Sequence, residues 1–549
     1  LGLNVYQTLL GVRPLVAYVN EQTYSAGLVP LYKEAGYTAL VMEWNNAAGA
    51  HPDWDAEWRY RMMLVEGTSQ VTLPLLWNDS VVFQKFQRFA HGESQKETFL
   101  QDIFSHVGKS PRTLMLYGND AEIFDFRPGR FRTEAMLKDL HEWQRIEDLY
   151  RTLALDTRVR FRLPGEVVGE ERMRTDIPTV SLESPGQPIP VKKQQKYNLA
   201  RWALTGRDSL GINTRCYRIY KALMKKRADE GPWKRLCYVW DSDFRTHITE
   251  ERFSGYLSTL TALEVDAGVM EVPSAEDVME GHTPDLDHHS FTITRSWITS
   301  QINVRRGLVF ESLVFSEISE KSLLGTLAHG YFDHVPFNAD FYSGNTVIDV
   351  PGMERITDLE LARDVRVATH EHQTIVTGIV PLGSGIVKKR ITFDDASRTV
   401  SIEYDFSVEQ SSPAVFHTGL LTFNPEAFNR ATLFYATTNG GTDEEVFSLA
   451  DVTEVRSDPT SLLVSSRSML GNTRGQLRIG DQDLVVSITT DMSQCAALPL
   501  LSFDRVGQMY FLRTAFSLSE FDDTTRLRAG SLLQVPPFSL RISAEKKAL

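Results

Sequence analysis

The sequence predicts a chain of mixed class: α/β at its start, helical in its middle and antiparallel β over its second half. Three observations carry this. Apolar runs alternate with helical patterns up to residue 165, a 3.6-residue apolar period fills 197–265, and a period of two takes over after residue 290.

The first strands are the apolar runs Leu15–Asn20, Thr38–Glu43, Val71–Trp77 and Thr113–Tyr117. A helix near Ser25–Ala35, closed by Gly36, separates the first two, and Lys96–Ile103 reads as a helix before the fourth. Met136, Leu137, Leu140, Trp143, Leu149, Tyr150 and Leu153 recur at helical spacing after it. Continuous apolar strands alternating with helices predict βα units on a buried parallel sheet, here over 1–165. The proline-rich stretch Leu163–Lys196 reads as an interdomain loop, bounded here as 166–196.

Three apolar stripes then predict a small helical bundle over 197–265. They are Cys216, Ile219, Tyr220, Leu223 and Met224; Trp233, Leu236, Cys237 and Trp240; and Phe253, Tyr256, Leu257, Leu260 and Leu263. An acidic, proline-containing linker, 266–289, leads to the β part, 290–549. There Val400, Ile402, Tyr404, Phe406 and Val408 alternate with polar residues, as on a half-buried strand. Phe291–Trp297, Gly307–Phe315, Thr432–Thr437 and Tyr510–Phe516 also read as strands, and Asn439-Gly440-Gly441 as a turn. The expected architecture of this part is a β-sandwich.

Composition agrees with a globular protein of about three domains, at roughly 100–200 residues each. Of 549 residues, 42% are apolar and 23% charged, and 71 acids against 58 bases give a net charge of −13. That balance argues against nucleic-acid binding, which shows clustered basic excess. No apolar run reaches the ~20 residues of a membrane helix. Three cysteines exclude a disulfide scaffold, and no pair has zinc-ligand spacing. Cys216 and Cys237 are expected to be buried free thiols. No cofactor motif and no metal set is found: His370-Glu371-His372 lacks a third ligand, and phosphate loops and serine elbows are absent. The chain begins Leu1-Gly2-Leu3 with no secretory signal, so a cytoplasmic site and an upstream extension are the expectations.

The chemistry is sought where parallel strands end. After the four runs come Asn20-Glu21-Gln22, Glu43-Trp44-Asn45, Trp77-Asn78-Asp79 and Tyr117-Gly118-Asn119-Asp120-Ala121-Glu122. Each end carries a carboxylate and an Asn, with Tyr24, Trp44, Trp77 and Phe124 beside them. Carboxylates and amides bind hydroxyls, and aromatic faces stack on pyranose rings. Two carboxylates on different strands can flank a glycosidic bond, one as nucleophile and one as general acid. The same residue types also cap helices, so each position alone fits both roles.

These residues resemble glycoside hydrolase family 57. Tyr18-Val19-Asn20-Glu21 occupies the setting of the family's Trp-Leu-Pro-Glu nucleophile motif, without its Trp and Pro. Asp120-Ala121-Glu122-Ile123-Phe124, after Tyr117-Gly118-Asn119, matches the acid/base motif Asp-x-Glu-x-Phe. Trp77-Asn78-Asp79-Ser80 with Phe86-Gln87-Arg88-Phe89 is similar to a segment ending in Phe-Arg-Phe. Trp240-Asp241-Ser242-Asp243-Phe244 looks like the Ser-Ser-Asp motif that reaches the sugar. The likeness spans roughly Pro14–Leu260, and Asp340-Phe341-Tyr342-Ser343-Gly344 is a loop that could point toward the site. No counterpart of the family's upstream His-Gln-Pro motif precedes Glu21, so the barrel's first strands are expected outside this sequence.

The resemblance implies a distorted (β/α)7-type barrel, a helical bundle completing the site and a β-sandwich. It implies a retaining mechanism with Glu21 as nucleophile, Asp120 as acid/base and no cofactor, their carboxyls about 5–5.5 Å apart. The expected substrate is an oligo- or polysaccharide, contacted by Glu43, Trp44, Trp77, Asn78, Asn119, Glu122 and Asp243. Gly206 and Gly211 break the helical pattern and turn Arg207, Asp208 and Asn213 toward a cleft; Arg245 and His247 follow Asp243. Arg forks hold carboxylates, so an acidic, uronate-containing glycan is one expectation, with salt bridges to nearby Asp as the alternative. The sequence does not separate hydrolase from transglycosylase. The alternatives to both are a uronate lyase or epimerase and an inactive sugar-binding protein.

Overall fold

In a computed structural model of the chain, residues 1–118, 124, 141–192, 196–244, 248–269, 281–287, 289–408, 410–411, 414–456, 464–466, 469–525, 532–533 and 535–547 are described. Two compact units emerge: Gly2–Ser184 with Pro190–Gln194, and Pro185–Ile189 with Gln195–Leu549.

The first unit is built on a five-stranded sheet. Its strands are β1 (Val16–Tyr18), β2 (Ala39–Glu43), β3 (Met63–Glu66), β4 (Thr72–Asn78) and β5 (Thr179–Val180), in the order β1-β2-β4-β3-β5. β1, β2 and β4 are mutually parallel neighbours. β3 runs antiparallel to β4. The parallel strands are apolar except at their ends, at Thr72, Glu43 and Asn78, because both faces are covered. Leu40, Met42, Leu73 and Leu75 face one core, while Ala39, Val41 and Leu76 face another.

Two expectations differ here. The run Thr113–Tyr117 forms no ladder among the described residues; Met115, Leu116 and Tyr117 pack against the cores instead. The short β3, unread in the sequence, returns to β4 through a tight turn with Ser69 and Gln70 at φ 56° and 59°. The sheet of the described residues is therefore mixed and open.

Helix α1 (Leu28–Ala35) ends as expected at Gly36, φ 98°. α2 (Ser80–Ala90) starts at Asp79, whose Oδ1 accepts from Val81 and Val82 N–H at 2.9 and 3.2 Å. Its apolar face, Phe83, Phe86, Phe89 and Ala90, packs on α3 (Lys96–Ser105) and α4 (Glu142–Ala154). The proline-rich stretch is less loop-like than expected, since it holds the helix Pro164–Glu171 as well as β5.

The second unit opens with helices Ser209–Lys226, Glu230–Val239 and Glu250–Ala267, which share the core of Cys216, Ile219, Leu236, Phe253, Tyr256 and Leu260. Cys216 is buried there, but Cys237 is exposed because Leu236 takes the inward position. The helical region docks on the β part. Arg201, on the preceding short helix Ala200–Ala203, pairs with Asp522 and Asp523, and Thr214 Oγ1 accepts from Ala496 N–H at 3.0 Å.

The β part consists mainly of a ten-stranded and a nine-stranded sheet sharing one core. The strand Thr399–Ser407 buries Val400, Ile402 and Tyr404 on one face, as its alternation predicts. In the neighbouring strand Gly385–Asp394 the same parity places Val387, Lys389, Ile391 and Phe393 inward.

Lys389 is thus a fully buried amine. Its Nζ lies 2.8 Å from Asp358 Oδ2 and donates to Gly307 O at 2.7 Å and Gly344 O at 2.8 Å. Asp358 Oδ1 accepts from Thr346 N–H at 2.8 Å. Gly307 has φ +70°, and a Cβ there would stand 1.9 Å from Asp358 O, so only glycine fits.

Breaking a buried pair from one side leaves an unpaired charge and costs about 3–5 kcal/mol. K389M should lose stability of that order in denaturant titrations. The double variant K389M/D358N should be less destabilised than K389M. An additive or larger loss would show that the pair does not act as a unit.

Candidate functional site

The parallel strands β1, β2 and β4 present their carboxyl ends along one edge, the place where open α/β sheets bind ligands. Register fixes the neighbours: Tyr18 pairs with Val41, and Glu43 with Asn78.

Glu21 stands in the turn leaving β1, with φ 53° and ψ 11°, and Gln22 follows at φ 57°. Two successive left-handed non-glycine residues are strained, and such strain persists where surroundings over-determine it. Those surroundings are visible. Gln22 is buried, its Oε1 accepts from Glu43 N–H at 2.6 Å, and its Nε2 donates to Val19 O at 3.1 Å. Lys192 closes the turn from outside, its N–H donating to Glu21 O at 2.9 Å and its ammonium pairing with the Glu21 carboxylate. The carboxylate is about one-third exposed (32%).

Glu43 ends β2 and accepts from Asn46 Nδ2 at 2.7 Å. Trp44 and Trp77 are buried side by side, rings 5.3 Å apart and edge-on at 86°. Trp54 and Trp58, which sequence reasoning missed, extend this wall and are only half-buried. His51 stacks on Trp54 at 4.5 Å. The signal for them was present in the run His51-Pro52-Asp53-Trp54-Asp55-Ala56-Glu57-Trp58, but it follows α-helical rather than strand residues.

Asn78 is fully buried, and among the described residues neither atom of its amide finds a partner. The same holds for Trp77 Nε1. Gly118 lies against Asn78: a Cβ at Gly118 would come within 2.2 Å of Asn78 Nδ2. Tyr18 OH donates to Gly118 O at 2.9 Å, which ties this segment to β1. Asp79, next along, is spent on capping α2.

Asn119, Asp120 and Glu122 lie outside the described residues, as do Arg245 and His247. Arg207, Asp208, Asn213 and Asp243 belong to the other unit. The Arg207 fork is taken by Glu250, at 2.8 and 2.5 Å, and its guanidinium lies 3.8 Å from the Phe253 ring. The partner is thus a glutamate 43 positions away rather than a nearby Asp. Asn213 Nδ2 donates to Ala203 O at 2.8 Å, and its Oδ1 accepts from Trp240 Nε1 at 2.8 Å. Asp243 is exposed.

Asp208 is left-handed (φ 49°), and its Oδ1 leans on Gly211. The residue reaches solvent, yet desolvation of the carboxyl pushes it up to about 6, against the pull of Arg215, the Gly211 N–H and Arg207. A further titratable cluster is fully paired. Buried Glu520 accepts from Ser517 Oγ at 2.7 Å and from Ser465 Oγ, and lies 2.7 Å from His417 Nε2. Among the described residues no group of three His, Cys, Asp or Glu is placed to hold a metal, and no helix is long and apolar enough to cross a membrane.

No protein-family model and no curated protein matches the chain. Solved structures do. An alpha-mannosidase from Enterococcus faecalis V583 is 9% identical, with 99% of this chain and 75% of that one covered and a TM-score of 0.53. A 4-alpha-glucanotransferase from Thermococcus litoralis is 12% identical over 98% and 83%, with a TM-score of 0.38. The first likeness shows the fold alone: a mixed α/β region followed by large antiparallel sheets.

The Asp208 carboxyl yields a signed prediction. Its folded value of about 6 lies above the unfolded one near 3.9, so the folded state holds the proton more tightly. Its contribution to stability is lost as pH rises from about 4 to about 6. Relative to the parent, D208N should gain stability across that window and change no further above pH 7. Melting temperatures of both proteins from pH 3.5 to 8 test this, and a flat difference refutes it.

Proposed function

We propose that this chain is a carbohydrate-active enzyme that cleaves or transfers a glycosidic bond of an oligo- or polysaccharide, on the plan of glycoside hydrolase family 57. In this reading the parallel strands belong to a (β/α)7-type barrel, Glu21 is the nucleophile and Asp120 the acid/base.

The observation that carries it is the Glu21 turn. Backbone strain, a buried glutamine and Lys192 hold one carboxylate at the end of β1. Glu43 is its neighbour at the end of β2, and the tryptophan wall starts at Trp44 beside it. A sugar ring stacked on half-buried Trp54 and Trp58 would leave its hydroxyls to carboxylates and amides, and Asn78 has an amide to offer. The glycosidase-like fold supports the same class.

Chemically, Glu21 attacks the anomeric carbon while the acid protonates the leaving oxygen; water or a second sugar then resolves the glycosyl ester. The tryptophan wall excludes water from one side of the reacting ring. Removing a general acid or nucleophile typically costs at least 10²–10⁴-fold in rate. E21Q and D120N should each fall by that factor in reducing-end release from a panel of neutral and acidic oligosaccharides, with melting temperatures near the parent's. The first-formed product should keep the substrate's anomeric configuration by NMR. An E21Q protein with full turnover would overturn the assignment, and ultraviolet-absorbing unsaturated products would replace hydrolysis with a lyase reaction.

A further inference from the structure

Most arginines that could recognise an acid are already committed. Arg207 forks onto Glu250, Arg215 onto Glu264 and Arg295 onto Asp395. Arg513 differs. It lies on the strand Met509–Ser519 of the ten-stranded sheet, paired across the ladder with Thr422 on one side and Ser502 on the other. Its Nη2 donates to Tyr342 O at 3.0 Å and to Asn345 Oδ1 at 3.3 Å.

Among the described residues no carboxylate pairs with it, and its Nε is buried without an acceptor. Its guanidinium lies 5.9 Å from the Phe341 ring. Burial, and then the like charge of Arg355, pull it down to about 10. Arg355 is itself paired with Asp349 at 2.7 Å, and Arg306 sits 5.9 Å from the Tyr342 ring, whose hydroxyl donates to Asp340 at 3.0 Å. Asp349 is thus held by Arg355 and Asp340 by the Tyr342 hydroxyl, and neither pairs with Arg513.

A desolvated cation with a like neighbour and an orphan donor costs free energy unless an anion completes it. Guanidinium is the group whose planar donors fit carboxylate and sulfate oxygens. Phe341 and Tyr342, both half-buried, flank the place. We propose that Arg513, with Phe341 and Tyr342 beside it, is a binding site for an oxyanion carried on a sugar, such as a uronate carboxylate. The proposal rests on the carbohydrate reading for the sugar but not for the anion, and it moves recognition of acid from Arg207 to the sandwich.

The test reads binding, not turnover, so an inactive E21Q result leaves it untouched. Sodium glucuronate, sodium acetate, sodium sulfate and glucose are titrated into the full chain at constant ionic strength set with sodium chloride. Melting temperature and calorimetry are the readouts. Glucuronate should raise the melting temperature and bind at least tenfold more tightly than acetate or glucose. R513M should bind at least tenfold more weakly, and R513K should fall between. Sulfate binding as tight as glucuronate, or equal binding of acetate and glucuronate, overturns the sugar half of the proposal. If the parent responds to none of the anions beyond the chloride control, or R513M keeps the response, the site does not exist. The parent titration alone decides this last point if R513M does not fold.

Discussion

An ammonium group sealed from water must find all of its solvation inside the protein, and Lys389 does so at the centre of the sandwich. It belongs to the nine-stranded sheet, while its oxygens come from Asp358, Gly307 and Gly344, in segments leading into or out of strands of the ten-stranded sheet. An apolar residue at 389 would accept many rotations and shifts of one sheet over the other. A charge with three short contacts accepts one. Tyr404, on the strand paired with that of Lys389, adds a hydrogen bond to the same Gly344 carbonyl at 3.1 Å. Gly307 and Gly344, at φ +70° and +90°, exist in these conformations so that carbonyls can turn inward. Register, loop geometry and sheet stacking are therefore coupled through one amine.

The α/β unit rests on a different constraint. Parallel neighbours bring their carboxyl ends together, so whatever follows β1, β2 and β4 is collected along one edge. Two outcomes are visible there. Asp79 stabilises the first turn of a helix by accepting its free N–H groups. Glu21 caps nothing: its backbone is bent into the left-handed region and its carboxylate is left at the surface with Lys192. The strain at Glu21 and Gln22 is sustained by the buried Gln22 amide, which bonds to β1 and β2 together.

Charge is arranged by the same economy. Arg207, Arg215 and Arg235 of the helical region each pair with an acid, and an ion pair near the surface costs little and stabilises little. Desolvation changes the balance at Arg513 and Asp208, which are shifted in the directions burial dictates for a base and an acid. Arg513 sits beside Gly344, at φ +90°, and Asp208 is itself left-handed at φ 49° while Gly211 continues the helix, so chain geometry rather than charge matching decides how close groups come.

Hydrophobic period alone located the strands at 16–18, 39–43, 72–78 and 399–407, the helix ending at Gly36 and the inward stripe of the helical core, because each depends on which side of one element faces away from water. Lys389 shares its parity with Val387, Ile391 and Phe393, but the strand was not read from the sequence and nothing nearby in the chain announced its partner. Four outcomes needed the tertiary structure: the antiparallel β3, the lack of a ladder for Thr113–Tyr117 among the described residues, the Glu250 clasp on Arg207 and the outward turn of Cys237. Of the candidate site, the residue types at the strand ends were legible, and so were Trp44 and Trp77 as aromatic neighbours. The extension of that wall to Trp54 and Trp58 was not. Periodicity specifies the face an element buries; it does not specify which distant element meets that face, and charge pairing, orphaned donors and backbone strain are all properties of that meeting.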